Sequence, residues 1–195
     1  MNMKSLTIFL LLTCISVMSY AQNQITEITF VGKAGFLIKV GENKILIDAL
    51  YDESKSKHGI PPKIQKKIAN GQAPYDNIDL ILVAHDNVKQ VNTKMLKRYL
   101  KNNSKTILAS TEEIISLVNE FPERCEAFNP MKEEIESKEL HNFIVKALYF
   151  SQEADSQIGN IGFVVLYNGV TLVQTAHFSA GIYEDESNLG NTNDK

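Results

Sequence analysis

The 195-residue sequence is poor in the residues that mark several protein classes. It has two cysteines and no tryptophan. Cys14 lies in a leading segment that we expect to be removed, so Cys125 is left alone and cannot form an internal disulfide. We interpret Cys125 as a partly buried packing residue rather than a nucleophile. The formal net charge is −3, whereas nucleic-acid binders usually carry a basic surplus, so we expect no nucleic-acid partner.

A long, uninterrupted hydrophobic run is also missing. The apolar stretch at positions 6–17 follows Lys4 and is shorter than the roughly 20 residues that span a bilayer. Small residues at Ser19 and Ala21 fit a signal-peptidase cut after Ala21. A membrane anchor would need a longer run, and a lipoprotein would need a small residue in place of Thr13. We therefore predict a signal peptide at 1–21, a secreted or periplasmic protein, and no membrane span after cleavage.

The remaining chain opens with short strands. Residues 25–31 alternate between apolar and polar side chains, which is typical of a half-buried strand. Apolar runs at 36–40 and 44–49 follow, joined by a connection of Gly41, Glu42 and Asn43. The sequence thus predicts a meander of three strands.

Strands then alternate with helices. Residues 80–84 are continuously apolar, as in a strand covered on both faces, and 106–110 form a similar run. Helices are predicted from Pro61 or Pro62, from Asn92 or Thr93, and from a capping box in which Glu113 reaches back to Ser110, with Pro122 ending the third. This order indicates parallel pairing with right-handed crossovers.

The chain then returns to strands. Residues 143–150 form one, and 161–167 with 170–175 form a hairpin across Asn168-Gly169, a strong turn signal. The polar segment 151–159 is predicted to be a loop. We expect a single α/β (α+β) domain over 22–183 and a polar, disordered tail over 184–195.

Three ordered blocks carry a family resemblance: EITFVGKAGFLIKVGENKILIDA, YDNIDLILVAH and NIGFVVLYNGVTLVQTAH. They resemble the metallo-β-lactamase fold superfamily, in particular its bacterial metal-dependent hydrolases, over positions 25–177. The resemblance implies a four-layer αββα sandwich with a metal site at one edge between the sheets. It also implies a longer C-terminal part, so we expect the sandwich to be incomplete in this chain.

In that family, the strand matching positions 80–84 runs into H-x-H-x-D-H, which holds one or two zinc ions and an activated water of pKa about 7. His85 keeps the first position. Asn87, Lys89 and Gln90 stand where the second His, the Asp and the last His would be. An ammonium group beside a dication is repulsive, so Lys89 opposes metal binding directly.

The other ligand positions are changed as well. The loop after Phe150 reads Ser151-Gln152-Glu153-Ala154-Asp155 without a histidine, and the family's T-G-D turn appears as Thr175-Ala176-His177. His85 and His177 are therefore the candidate metal residues, as vestiges of a site, with Asp48 and Asp86 as outer-shell candidates. Two ligands do not hold zinc tightly, so we expect zinc, if bound, to bind weakly, and we assign no catalytic residue.

Three hypotheses follow. The first is a secreted pseudoenzyme or remnant that lacks hydrolase activity. The second is an active metal-dependent hydrolase of esters, lactams or phosphoesters, with a rearranged site that uses His85 and His177. The third is a binding or accessory protein that associates with a protein partner, or with itself, through an open sheet edge.

Overall fold

The computed structural model describes residues 25–32, 35–51, 60–84, 91–131, 134–150 and 160–175. The predicted signal peptide, the loop at 151–159 and the tail at 184–195 lie outside these ranges. No helix in the described ranges is long and apolar enough to cross a membrane.

The first sheet has six strands in sequence order. Its antiparallel half is the predicted meander of β1 (Ile25–Gly32), β2 (Gly35–Val40) and β3 (Asn43–Ile47). Its parallel half consists of β4 (Leu80–Val83), β5 (Ile107–Thr111) and β6 (Cys125–Phe128). The carboxyl ends of the parallel strands consequently meet at one edge of the sheet.

Helices cover one face of this sheet. They are α1 (Pro62–Ala69), α2 (Thr93–Asn102) and α3 (Glu112–Ser116), followed by a 3-10 turn at Pro122–Arg124. Pro62 occupies the first turn of α1, where a missing N–H costs nothing. The side chain of Asn92 caps α2 by accepting the Met95 N–H at 3.0 Å.

The third helix differs from its prediction. Thr111, not Ser110, is the N-cap and accepts the Ile114 N–H, because the Ser110 hydroxyl donates instead to the Val83 carbonyl at 2.6 Å. The α-helix ends at Ser116, before Pro122. The buried residues Ile114 and Val118 keep the expected apolar face.

The second sheet has four antiparallel strands in the order β10-β9-β8-β7. They are β7 (Ile135–Leu140), β8 (Phe143–Phe150), β9 (Asn160–Tyr167) and β10 (Val170–Gln174). The predicted hairpin joins β9 to β10 through Asn168 and Gly169, both with positive φ, as this turn type requires. The sequence did not predict β6 or β7, which are short or rich in charged residues.

Two apolar layers hold the molecule together. One lies between the helices and the first sheet and includes Leu46, Ile81, Leu96 and Tyr99. The other lies between the sheets, where Phe128 and Phe163 meet edge to face with ring centroids 5.7 Å apart. The described residues thus form three layers, helices and two sheets; none of them forms a helix on the outer face of the second sheet.

Three pairs of side chains fix how the sheets overlap. At opposite ends of β3, the Asn43 amide donates to the Tyr167 hydroxyl and the Gln174 amide donates to the Asp48 carboxylate. On the other side, the Lys138 ammonium of β7 lies 4.9 Å from the ring centroid of Phe128 in β6. The second sheet therefore lies over β3 to β6 and over the part of β2 that carries Ile38 and Val40.

Candidate functional site

The candidate site is the edge where the parallel strands end. Asp48 follows β3 and Ala84 follows β4, and the parallel register pairs Ile47 with Leu82, which brings these two residues together. The Asp48 N–H extends this pairing by donating to the Leu82 carbonyl at 3.0 Å. Parallel sheets in general place ligand sites at this edge.

Asp48 is the central polar residue of this edge. It is only 4% exposed and has a φ of 45°, a left-handed conformation that Asp tolerates better than most residues. Its Oδ1 accepts the Ala84 N–H at 2.9 Å and the Tyr51 hydroxyl at 2.8 Å. Its Oδ2 accepts the Gln174 amide. The carboxylate therefore joins β3, the residue after β4, and the last residue of β10.

Gln174 is held in one orientation by this contact. The Asp48 Oδ2 accepts a hydrogen bond from the Gln174 Nε2, so the amide presents its nitrogen, not its oxygen, to the carboxylate. The same Nε2 lies 3.4 Å from the Thr175 carbonyl. Its Oε1 is buried and has no hydrogen-bond partner among the described residues. This leaves an unused acceptor at the site edge of the second sheet.

Glycines let the first hairpin approach Asp48 closely. A Cβ added to Gly35 would lie 3.0 Å from both the Ala49 Cα and the Asp48 carbonyl oxygen. Gly32 has a φ of 144° and lies against Ile60, which a Cβ would approach to 3.2 Å. Glycine is needed where two backbones come this close. The hairpin between β1 and β2 is thus packed directly on the candidate site.

Asp48, the predicted site residue that the structure describes, is not free to bind a metal ion. Both oxygens of the Asp48 carboxylate already accept hydrogen bonds, and coordinating a metal would leave buried donors unsatisfied. Within the described ranges, no three or more His, Cys, Asp or Glu side chains are grouped so that they could hold a metal ion. The next positions of the family motif carry an amide, an ammonium and a second amide at Asn87, Lys89 and Gln90.

Of the predicted site residues, the structure describes Asp48, which lies at the strand ends. Its role as an outer-shell residue stays a prediction. His85, Asp86, Asn87, Lys89, Gln90 and His177 lie outside the described residues.

Sequence reasoning missed Tyr51 and Gln174. A signal for Gln174 exists, because it takes the third inward position of β10 after Val170 and Leu172, where an apolar residue is the usual choice.

Cys125 does not belong to this site. It lies on β6, is partly exposed, and has no disulfide partner among the described residues. Burial raises the pKa of its thiol to about 11. The thiolate, which is the nucleophilic form, is therefore scarce at neutral pH.

Comparisons with known proteins bear on the fold. No family model matches the chain, and no curated protein matches it. Among solved structures, a protein described as a metal-dependent hydrolase from Parabacteroides distasonis ATCC 8503 aligns with a TM-score of 0.53 and 12% identity, over 76% of this chain and 59% of that one. CmlA, a diiron β-hydroxylase from Streptomyces venezuelae, aligns with a TM-score of 0.50 and 13% identity, over 78% and 29%.

A weaker likeness, with a TM-score of 0.44 and 12% identity, links the chain to YhfI, a metallo-β-lactamase fold protein from Bacillus subtilis, over 71% and 52% of the two chains. The chain thus spans about three fifths or less of the length of these proteins. At such identities the comparisons concern the fold alone. The predicted α/β (α+β) class and the likeness to the metallo-β-lactamase fold are confirmed for the three layers that the structure describes.

Proposed function

We propose that this protein is a secreted member of the metallo-β-lactamase fold that does not catalyse metal-dependent hydrolysis and acts instead as a binding or accessory protein. The observation that carries the proposal is the hydrogen bonding of Asp48. Its carboxylate joins the two sheets through Ala84, Tyr51 and Gln174. A carboxylate that connects the sheets in this way is a structural group, not a free ligand.

Charge and donor type support the same proposal. Hydrolysis of this kind needs an open metal coordination position that carries water. Three of the four motif positions after β4 carry side chains that are poor zinc ligands, and one of them, Lys89, is cationic. A divalent cation bound among these side chains would be repelled by the Lys89 ammonium.

A second function remains a candidate because proteins of similar fold include one described as a metal-dependent hydrolase and a diiron hydroxylase. In this alternative, His85 and His177 would contribute to a rearranged metal site. The residues that hold the metal would then come largely from the segments at 85–90 and 176–177.

Metal analysis separates the two functions. We expect the purified chain to contain no stoichiometric metal by plasma mass spectrometry. In calorimetric zinc titrations, we expect it to give the same weak heats as a variant with both His85→Ala and His177→Ala. A one-to-one site of micromolar or tighter affinity that disappears in this variant would refute the proposal. So would EDTA-sensitive hydrolysis of ester, lactam or phosphoester substrates that His85→Ala abolishes.

Secretion is part of the proposal and rests on the pattern at positions 1–21. Sequencing the N-terminus of the exported protein provides the measurement. We expect the mature chain to begin at Gln22, and retention of residues 1–21 would contradict this.

A further inference from the structure

The first sheet is wider than the second. Side chains of β9 and β10 contact both ends of β3, and β7 contacts β6. The four strands of the second sheet therefore span β3 to β6 and also cover the part of β2 that carries the buried Ile38 and Val40. On the side of β10, β1 and the adjoining part of β2 project beyond this cover.

On the face that points toward the second sheet, the projecting strands carry large apolar side chains of the kind usually found in a core. Phe30 lies opposite Phe36 in the neighbouring strand, and Phe36 lies opposite the buried Ile47, so the three side chains share one face. Ile28 lies two residues before Phe30 on β1 and therefore points to the same face. Ile28 is 58% exposed, Phe30 61% and Phe36 36%. The two rings contact each other with centroids 5.5 Å apart. The apolar inner face of the sheet thus continues past the strands that cover it.

The exposed apolar surface of β1 and β2 is bordered by the edge of β10. Among the described strands, β10 pairs with β9 on one side only. Its sequence, VTLVQ, contains no proline and no charge, two features that commonly protect edge strands from pairing. We call the free edge of β10, together with Ile28, Phe30 and Phe36, the β10 notch.

A second copy of the chain does not fit this notch. Antiparallel pairing of β10 with β10 of another copy places a two-fold axis perpendicular to the sheets. The projecting β1 and β2 of each copy would then occupy the space of β3 and β4 of the other. Pairing through β1 instead would leave Ile28 and Phe30 uncovered in both copies.

A single added strand fits the notch. Neighbouring strands lie about 4.8 Å apart, so one strand beside β10 would lie above β2 and β1. Its backbone would pair with β10, and every second side chain would face Ile28, Phe30 and Phe36. Strand addition of this kind combines main-chain hydrogen bonds with apolar contacts at alternate positions.

We propose that the β10 notch binds an extended segment of a partner polypeptide as a fifth strand of the second sheet. The segment has about five residues, to match β10, with apolar side chains at alternate positions and no proline. This inference rests on the binding role in the proposed function and names the partner's chemistry, but it does not depend on whether the strand ends hold a metal.

Peptide binding to the full chain tests the proposal. The probe is a fluorescein-labelled peptide of seven residues in which valine alternates with threonine between terminal lysines, followed by fluorescence anisotropy. We expect micromolar binding, and at least tenfold weaker binding of a peptide with the same composition but with its valines consecutive. Because only alternate amides of an added strand face β10, methylating the odd or the even amides must weaken binding unequally.

A matched pair of variants locates the binding surface. Ile28→Thr should weaken binding about fivefold to tenfold through lost apolar contact. Ile135→Thr should leave it unchanged, because Ile135 is equally exposed, at 61%, but lies on β7 at the opposite edge. Threonine favours strands, so both variants keep the fold.

Several outcomes would overturn the proposal. They are an absence of binding, equal effects of the two methylation patterns, or equal effects of the two variants. A dimer seen by sedimentation and dissociated by Ile28→Thr would assign the surface to a second copy instead. Metal content does not enter any of these measurements, so failure here is distinguishable from failure of the proposed function.

Discussion

Burying a carboxylate removes its hydration, and Asp48 replaces the lost water with donors from three separate segments of the chain. The sequence predicted where Asp48 lies, because a strand pattern led directly to it. It did not identify the Gln174 amide as a partner, since the two residues are 126 positions apart and meet only when one sheet packs on the other. Local patterns do not encode the relative position of two packed sheets.

Substitutions of Asp48 should separate lost hydrogen bonds from lost charge. Asp48→Ala leaves buried donors unpaired and places alanine at a positive φ, so we expect a loss of about 3–5 kcal/mol in the free energy of unfolding. Asp48→Asn should cost about 1 kcal/mol, because asparagine tolerates this φ and Gln174 can turn its Oε1 toward the new amide. Urea denaturation measures both values.

Asp76→Asn provides the control for these measurements. The Asp76 carboxylate accepts a hydrogen bond from Lys44 at 2.8 Å, which lowers its pKa, but it lies at the surface. We expect its loss to cost less than about 1 kcal/mol. Equal destabilisation by Asp48→Ala and Asp48→Asn would show that the charge, and not the hydrogen-bond geometry, stabilises this edge.

Among the secondary-structure elements, those with regular apolar periods were predictable. The meander, the parallel strands β4 and β5, helix α2 and the hairpin of β9 and β10 all agree with their patterns to within about two residues. β7 was missed because its sequence, IESKEL, exposes polar side chains at an edge. Ser110 was a plausible cap, but its hydroxyl is used by Val83 on the neighbouring strand. Tertiary contacts, rather than local propensity, determined both outcomes.

The first hairpin depends on a close contact between backbones. In Gly35→Ala, the new methyl group would lie 3.0 Å from the backbone of Asp48 and Ala49, so the hairpin must shift. We expect a loss of about 1–3 kcal/mol in the free energy of unfolding. Chemical denaturation of this variant should be compared with that of Gly41→Ala.

Gly41 is the appropriate comparison because it lies in the next turn, with a φ of 59° and open space around its Cα. Alanine there meets only the backbone cost of a positive φ, about 1 kcal/mol. If Gly41→Ala destabilised the protein more than Gly35→Ala, the close approach of the hairpin would not be a significant constraint.

For the molecule as a whole, stability resides in two apolar layers on either side of the first sheet. The sequence indicated this through β4 and β5, whose continuous apolar runs are suited to burial on both faces. The overlap of the sheets, and hence the exposure of β1, was not predictable. It depends on side-chain pairs such as Asn43 with Tyr167, which are distant in sequence.

Two phenylalanines distinguish the covered part of this face from the uncovered part. Phe163 is fully buried between the sheets, whereas Phe30 lies on the projecting strand. We expect Phe163→Ala to lower the free energy of unfolding by about 3–5 kcal/mol. Phe30→Ala should change it by about 0.5 kcal/mol or less. Similar shifts in the denaturation midpoint for both variants would mean that β1 is covered in solution.

The two inter-sheet hydrogen bonds at opposite ends of β3 also restrict motion. Sliding one sheet along the strand direction would break the Asn43–Tyr167 and Asp48–Gln174 bonds together, so shear is opposed at both ends. Both bonds lie on the same side of the sandwich, near β10.

On the other side of the sandwich, the Lys138 ammonium of β7 donates to the Ala127 carbonyl of β6 and lies 3.6 Å from the Glu126 carboxylate. A hinge-like opening between β6 and β7 is therefore opposed as well, and the two sheets should move as one body. Similarly slow amide exchange at Ala84 and in the β7–β8 ladder would be the signature of such coupling.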